Sequence, residues 1–175
     1  MATDTAVIRP ARPDDASAIA RVHVAGWQEA YTGLLPDDFL AGLSDTFDRR
    51  RRFWEHFARS LGERDALLVA EVDGEVVGFV HAGESRDRPG ENEGEVTAIY
   101  LRRAQWGRGI GRQLFGAAVD RLRESGFESA VLWVLNANSR ARRFYEAAGW
   151  APDGSEKEER IGDLILREVR YTIPL

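Results

Sequence analysis

The chain has 175 residues, 43% of them hydrophobic and 30% charged, with a formal net charge of −5 and no cysteine. That length suits a single domain over 1–175 with a sizeable core, and the missing cysteines exclude disulfides, thiolate metal sites and a cysteine nucleophile. The acidic balance speaks against a nucleic-acid partner. No apolar run has the length of a membrane span and the first residues show no leader pattern, so a cytoplasmic location with no membrane partner is expected.

In chain order, residues 6–9 read as a short strand. Pro13 with Asp14 and Asp15 opens a helix, and Ile19, Val22, His23 and Trp27 continue one of its faces. The break at 32–36 leads to a second helical region, where Phe39, Leu40, Leu43, Phe47, Trp54, Phe57 and Leu61 recur at helical steps or their multiples. The arginine run 49–52 within it is flanked by acids and aromatics, which suits a solvated helix face. Residues 66–72 and 75–82 are two strands joined by Asp73-Gly74, a hairpin signal. A polar loop over 86–94 precedes a strand at 95–101. A helix spans 109–125 and stops at Gly126. The continuous apolar run 130–135 suits a strand buried on both faces. A helix over 138–148, a strand after Gly149-Trp150, a charged loop at 156–160 and a strand at 164–173 complete the chain. Hairpins demand antiparallel pairs and the strand–helix–strand unit at 95–135 favours a parallel one, so the fold class is α/β with a mixed sheet and helices on its faces.

The segment Trp106-Gly107-Arg108-Gly109-Ile110-Gly111-Arg112 stands between that fourth strand and a helix. Glycines at a helix start expose backbone N–H groups at the positive end of the helix dipole, a cradle for phosphate. Between 100 and 112 the charged residues are Arg102, Arg103, Arg108 and Arg112, with no acid among them. A dinucleotide fingerprint would need glycine where Arg112 stands, and the Gly-Lys-Ser/Thr ending of a P-loop is absent, so a dehydrogenase is disfavoured. Histidines at 23, 56 and 81 have no metal-ligand spacing, and no metal is expected. Nothing matches Gly-x-Ser-x-Gly, which argues against a covalent acyl-enzyme.

A second motif follows the buried strand: Asn138-x-x-Ala141-x-x-x-Tyr145-Glu146-x-x-Gly149-Trp150. Together with the glycine loop, it resembles the GNAT superfamily, the general-control-related N-acetyltransferases. The likeness extends over nearly the whole chain, through Ile8-Arg9-Pro10-Ala11 and Val77-Gly78-Phe79. Two positions depart from the pattern. Trp106 stands where the family has Arg or Gln, with Gln105 one residue early, and Arg103 replaces a common proline.

The resemblance implies a GNAT-like fold of about seven strands, splayed into a V between the fourth and fifth, with acetyl-coenzyme A as cofactor in the gap. Backbone of Ile99, Tyr100 and Leu101 would flank the pantetheine arm, as in strand addition. The N–H groups of Trp106 through Arg112 would hold the pyrophosphate. Asn138 would cap its helix and touch the pantetheine, and Arg142 and Arg143 would reach phosphates. Tyr145 would protonate the departing thiolate, and Glu95 would accept the amine's proton through a water. Trp27, Tyr31, His81 and Trp133 are candidates for the acceptor side. The implied reaction is transfer of acetyl to a primary amine, of a small molecule or a peptide, in a ternary complex. A non-catalytic acyl-coenzyme A sensor is the alternative, and a homodimer is compatible with the family.

Overall fold

The computed structural model describes residues 6–175, and the fold is built on one seven-stranded mixed sheet in the order β1-β2-β3-β4-β5-β7-β6. The strands are β1 (Val7–Pro10), β2 (Ala66–Val72), β3 (Glu75–Glu84), β4 (Glu93–Leu101), β5 (Ser129–Leu135), β6 (Ala151–Ile161) and β7 (Leu164–Pro174). The helices are α1 (Ala16–Ala30), α2 (Asp37–Gly42), α3 (Phe47–Arg59), α4 (Ile110–Glu124) and α5 (Ser139–Ala147). The β2–β3 hairpin forms where the turn residues foretell it. Asp73 and Gly74 both take positive φ, 51° and 83°, which matches the twist of a two-residue connection.

Alternation of side chains puts one core on each face of the sheet. Val80, Ala82, Leu114, Phe115, Leu122, Leu132, Tyr145 and Tyr171 pack between the sheet and α4–α5. Ile19, Val22, Trp54, Leu67, Val69 and Phe79 pack beneath α1 and α3. A smaller cluster of Val24, Leu35, Leu40, Leu43, Leu135 and Leu166 closes the far end of α1 over β5 and β7.

Two expectations are corrected. The charged segment 156–160 is strand, not loop: Glu156 to Arg160 pair in register with β7. β6 is the sheet edge and nearly all of it is exposed, so it has no apolar alternation to read, and charge on an edge strand blunts pairing with other chains. The helical region after residue 36 is also not continuous. A 3-10 turn over Leu43–Thr46 separates α2 from α3, because Thr46 Oγ1 donates to the Leu43 carbonyl where an α-helix would run on.

His23 pins α1 to α3. Trp54 Nε1 donates to its Nδ1 at 3.1 Å, and Arg50 Nη1 approaches its Nε2 at 2.9 Å. Burial, helped by the Arg50 charge, lowers its pKa from 6.5 to about 3. The folded protein therefore binds this proton more weakly than the unfolded chain does. Stability is unaffected above the unfolded value and falls as the pH drops from about 6.5 toward 3, by a few kcal/mol in all. Urea midpoints measured across that range should fall more steeply in the wild type than in His23→Gln. Equal slopes would remove His23 as the titrating group.

Candidate active site

The site begins where β4 and β5 part. They pair in parallel only at Glu93↔Ser129, Gly94↔Ala130 and Glu95↔Val131. Beyond that point β5 stays with β7, while β4 follows β3. A bulge helps to turn β4 away: His81 faces Ala98 and Ala82 faces Val96, leaving Thr97 as the extra residue. The expected V is thus present, and a cavity of about 770 Å³ fills it.

Backbone alternation decides what β4 offers to this gap. Arg102 N–H donates to the Val77 carbonyl, so in the antiparallel ladder Tyr100 also bonds to β3. Ile99 and Leu101 then turn their N–H and C=O groups into the fork. Tyr100 contributes its ring instead, packed so closely on α1 that a Cβ on Gly26 would lie 2.8 Å from its Cδ1. One of the Leu101 lone pairs is engaged by Trp106 Nε1 at 2.8 Å.

The glycine loop has the geometry of an anion cradle. Gly107 and Gly109 take φ of 76° and 82°, and Gly109 is the left-handed N-cap of α4. A side chain is strained in that region, and nothing fills the space beside either glycine within 4 Å. The first-turn N–H groups of Ile110, Gly111 and Arg112 have no intrahelical partner. The Trp106 N–H, in contrast, is taken by the Arg103 carbonyl in a 3-10 turn, so the cradle starts after Trp106 and not at it. Arg108 is exposed, with Nη1 donating to Gln105 Oε1 at 2.8 Å.

Next to this loop a second cavity, about 590 Å³, runs between α4 and α5 and shares Leu101, Trp106, Gly111, Arg112, Arg140 and Phe144 with the fork. Arg112, Arg123 and Arg140 supply positive charge to it. Arg140 lies 3.3 Å above the Trp106 ring centroid, a cation–π contact at the junction of the two cavities. The sequence reading missed Arg140 and selected Arg142. The Arg142 guanidinium is engaged elsewhere, by Tyr171 Oη at 3.0 Å and Asn136 Oδ1 at 2.9 Å, and the residue lines neither cavity. Arg143 does line the fork.

Asn138 caps α5, its Oδ1 accepting from the Ala141 N–H at 3.1 Å, and it also lines the fork. Tyr145, about two turns on, is buried against Phe115 and Phe144 and reaches the same cavity. Burial, with Tyr31 nearby, pushes its pKa well above the ordinary value of 10, so the phenol stays protonated. No protein group hydrogen-bonds its hydroxyl among the described residues.

Of the acceptor-side candidates, Trp27, Tyr31 and Trp133 line the fork and His81 does not. The His81 ring packs on Phe57 under α3, with Nδ1 against Thr97 Oγ1, because it points to the same sheet face as Phe79. Trp133 Nε1 donates to Asp87 Oδ2 at 2.8 Å, tying β5 to the β3–β4 loop. Glu95 stands at the fork and is almost fully buried, but both its oxygens accept from Arg86, through the backbone N–H, Nε and Nη2. Among the wall residues not foreseen are Lys157 and Glu159 on β6 and Glu168 on β7. The first two sit in the segment expected to be loop. Among the described residues, no group of three or more His, Cys, Asp or Glu could hold a metal, and no helix is long and apolar enough to cross a membrane.

A glycine loop with the geometry of an anion cradle, an open strand edge and a buried neutral phenol on one continuous cleft fit a coenzyme A thioester. Comparison with known proteins agrees. The sequence model of the acetyltransferase (GNAT) family matches residues 27–150. An uncharacterized N-acetyltransferase, YuaI, of Bacillus subtilis is 31% identical over 163 residues, covering 93% of this chain and 89% of its own. An uncharacterized N-acetyltransferase of Archaeoglobus fulgidus is 35% identical over 141 residues, covering 79% and 88%. In structure, the PaiA N-acetyltransferase of Thermoplasma acidophilum, solved in complex with coenzyme A, superimposes with a TM-score of 0.72 over 98% of this chain and 99% of its own at 18% identity. With the V-shaped fork, the glycine cradle and Tyr145 in place, the chain belongs to the GNAT family of acetyltransferases, whose acyl donor is acetyl-coenzyme A.

Proposed function

We propose that this chain moves the acetyl group of acetyl-coenzyme A to a primary amine by direct attack within a ternary complex. The observation that carries this reading is the continuity of the cleft. It runs from the glycine cradle, past the free edge of Ile99 and Leu101, to the wall formed by Trp27, Tyr31 and Trp133, with Tyr145 on its lining. Bound acetyl-coenzyme A supplies an activated thioester to that cleft.

The chain's own groups do the rest. N–H groups of Gly107 through Arg112, with Arg112 and Arg140, bind the phosphates. The open edge of β4 orients the pantetheine, and the Leu101 N–H is a donor for the carbonyl oxygen. Tyr145 holds its proton for the leaving sulfur. Glu95 meets the cleft with both oxygens already engaged by Arg86; in this reading it anchors the β3–β4 loop. The sensor alternative would require a plugged acceptor side. Trp54 lies under α3 away from the cleft, and Trp27 forms its wall.

Thermal unfolding in equal concentrations of acetyl-coenzyme A, coenzyme A, NADH and ATP tests the donor. A ligand at a hundred times its Kd adds about 2.7 kcal/mol of stability, so the two coenzyme A species should raise the midpoint clearly. Stabilisation by NADH or ATP alone would overturn the reading.

A further inference from the structure

The wall opposite the β4 edge carries a carboxylate whose surroundings differ from those of Glu95. Glu168 on β7 pairs with Leu135 of β5 on one side and Lys157 of β6 on the other. Its Oε2 is closed off from solvent and accepts no hydrogen bond among the described residues. The Lys157 ammonium is 3.5 Å away, at the outer limit of such a bond, and leans over the Trp133 ring at 4.3 Å. A half-buried carboxylate so thinly supplied with donors carries a desolvation cost that a cation would relieve. Burial accordingly raises its pKa above the ordinary carboxylate value, with Lys157 opposing the rise.

The groups facing Glu168 come from three elements. Lys157 and Glu159 project from β6, Arg86 from the β3–β4 loop, and Tyr31 from the end of α1. Arg86 is already committed to Glu95, and Glu159 adds a second negative charge to the cleft wall. The remaining lining here is apolar or aromatic: Trp27, Leu35, Ile161 and Leu166.

We propose that Glu168 is the docking carboxylate for the acceptor, holding its ammonium group and accepting one of its protons, and that the acceptor is a primary amine carried on an apolar or aromatic body. The proposal rests on the acetyl-transfer reading above. In the step, an N–H bond of the ammonium breaks and an O–H bond to Glu168 forms. The ammonium becomes a neutral amine with its lone pair free, and the carboxylate becomes a neutral carboxyl group. An alkylammonium has a pKa near ~10.4, so the chemistry needs such a proton acceptor at neutral pH. Glu168 would be a catalytic residue in this role, because it touches the reacting amine.

The test is calorimetric titration of phenethylamine into the protein saturated with coenzyme A at neutral pH, with 2-phenylethanol as the uncharged control. The wild type should bind phenethylamine in preference to the alcohol. Glu168→Gln should weaken the amine by ~10-fold or more, the loss of a charge-assisted hydrogen bond, and abolish the preference. Lys157→Met should instead tighten the amine a few-fold, because the competing cation is gone. A gain of affinity cannot come from a folding defect. Equal amine affinity in wild type and Glu168→Gln, or no phenethylamine binding by the wild type, would overturn the proposal. Coenzyme A affinity is the separate readout. Its loss with amine binding retained would sink the acetyl-transfer reading alone.

Discussion

Tyr145→Phe is expected to lower kcat by ~10²-fold or more while the Kd of acetyl-coenzyme A changes little, the size of effect usual for a positioned general acid. The substitution removes one oxygen and leaves the ring packed on Phe115 and Phe144, so neither the core nor the α5 cap at Asn138 is disturbed. The hydroxyl has no protein partner to strand among the described residues. Its raised pKa means that the proton is present throughout the neutral range, and that the alkaline limb of the rate profile does not belong to an ordinary phenol near 10. Steady-state kinetics paired with calorimetry separates the two parameters. Turnover equal to the wild type would take Tyr145 out of the mechanism. A parallel loss of affinity would make it a binding residue.

Gly109→Glu should abolish measurable coenzyme A binding in a folded protein. Two physical effects act together. Gly109 has a φ of 82°, and a side chain there costs about 1–2 kcal/mol of strain. The carboxylate would also stand at the N-terminus of α4, on the ground proposed for the pyrophosphate. A negative charge at a helix N-terminus stabilises the helix by about 0.3–1 kcal/mol, which offsets part of the strain and keeps the variant folded. Gly109→Asn is the companion variant, since Asn tolerates the left-handed region and brings no charge. It should retain most of the affinity. Wild-type affinity in Gly109→Glu would refute the assignment of the cradle.

Local chemistry made much of the site legible in the sequence. The Asp73-Gly74 hairpin, the glycine cradle and the Asn138 cap depend on residues close together in the chain, and those residue types have few other uses in that order. Tyr145 was reachable because motif position placed it. The edge strand β6 was not legible, because most of it is exposed and the face it turns to the cleft carries Lys157 and Glu159 instead of an apolar period.

Side-chain destinations were the other blind spot. Arg140 and Arg142 are both arginines on α5, yet one stacks on Trp106 in the cleft and the other is held by Tyr171. Glu95 and Glu168 are both carboxylates on strands at the fork, yet Arg86 occupies the first while the second has only Lys157 at 3.5 Å. His81 reads as a cleft histidine on spacing alone, but the Thr97 bulge and the packing of Phe57 set it under α3.

The sequence by itself determined the family, the order of elements and the glycine loop that opens α4, since each is written in short-range pattern and backbone preference. Only the tertiary structure decided which charged groups face the cleft and which are neutralised, because an ion pair is a distance between residues far apart in the chain, and no periodicity along the sequence encodes it.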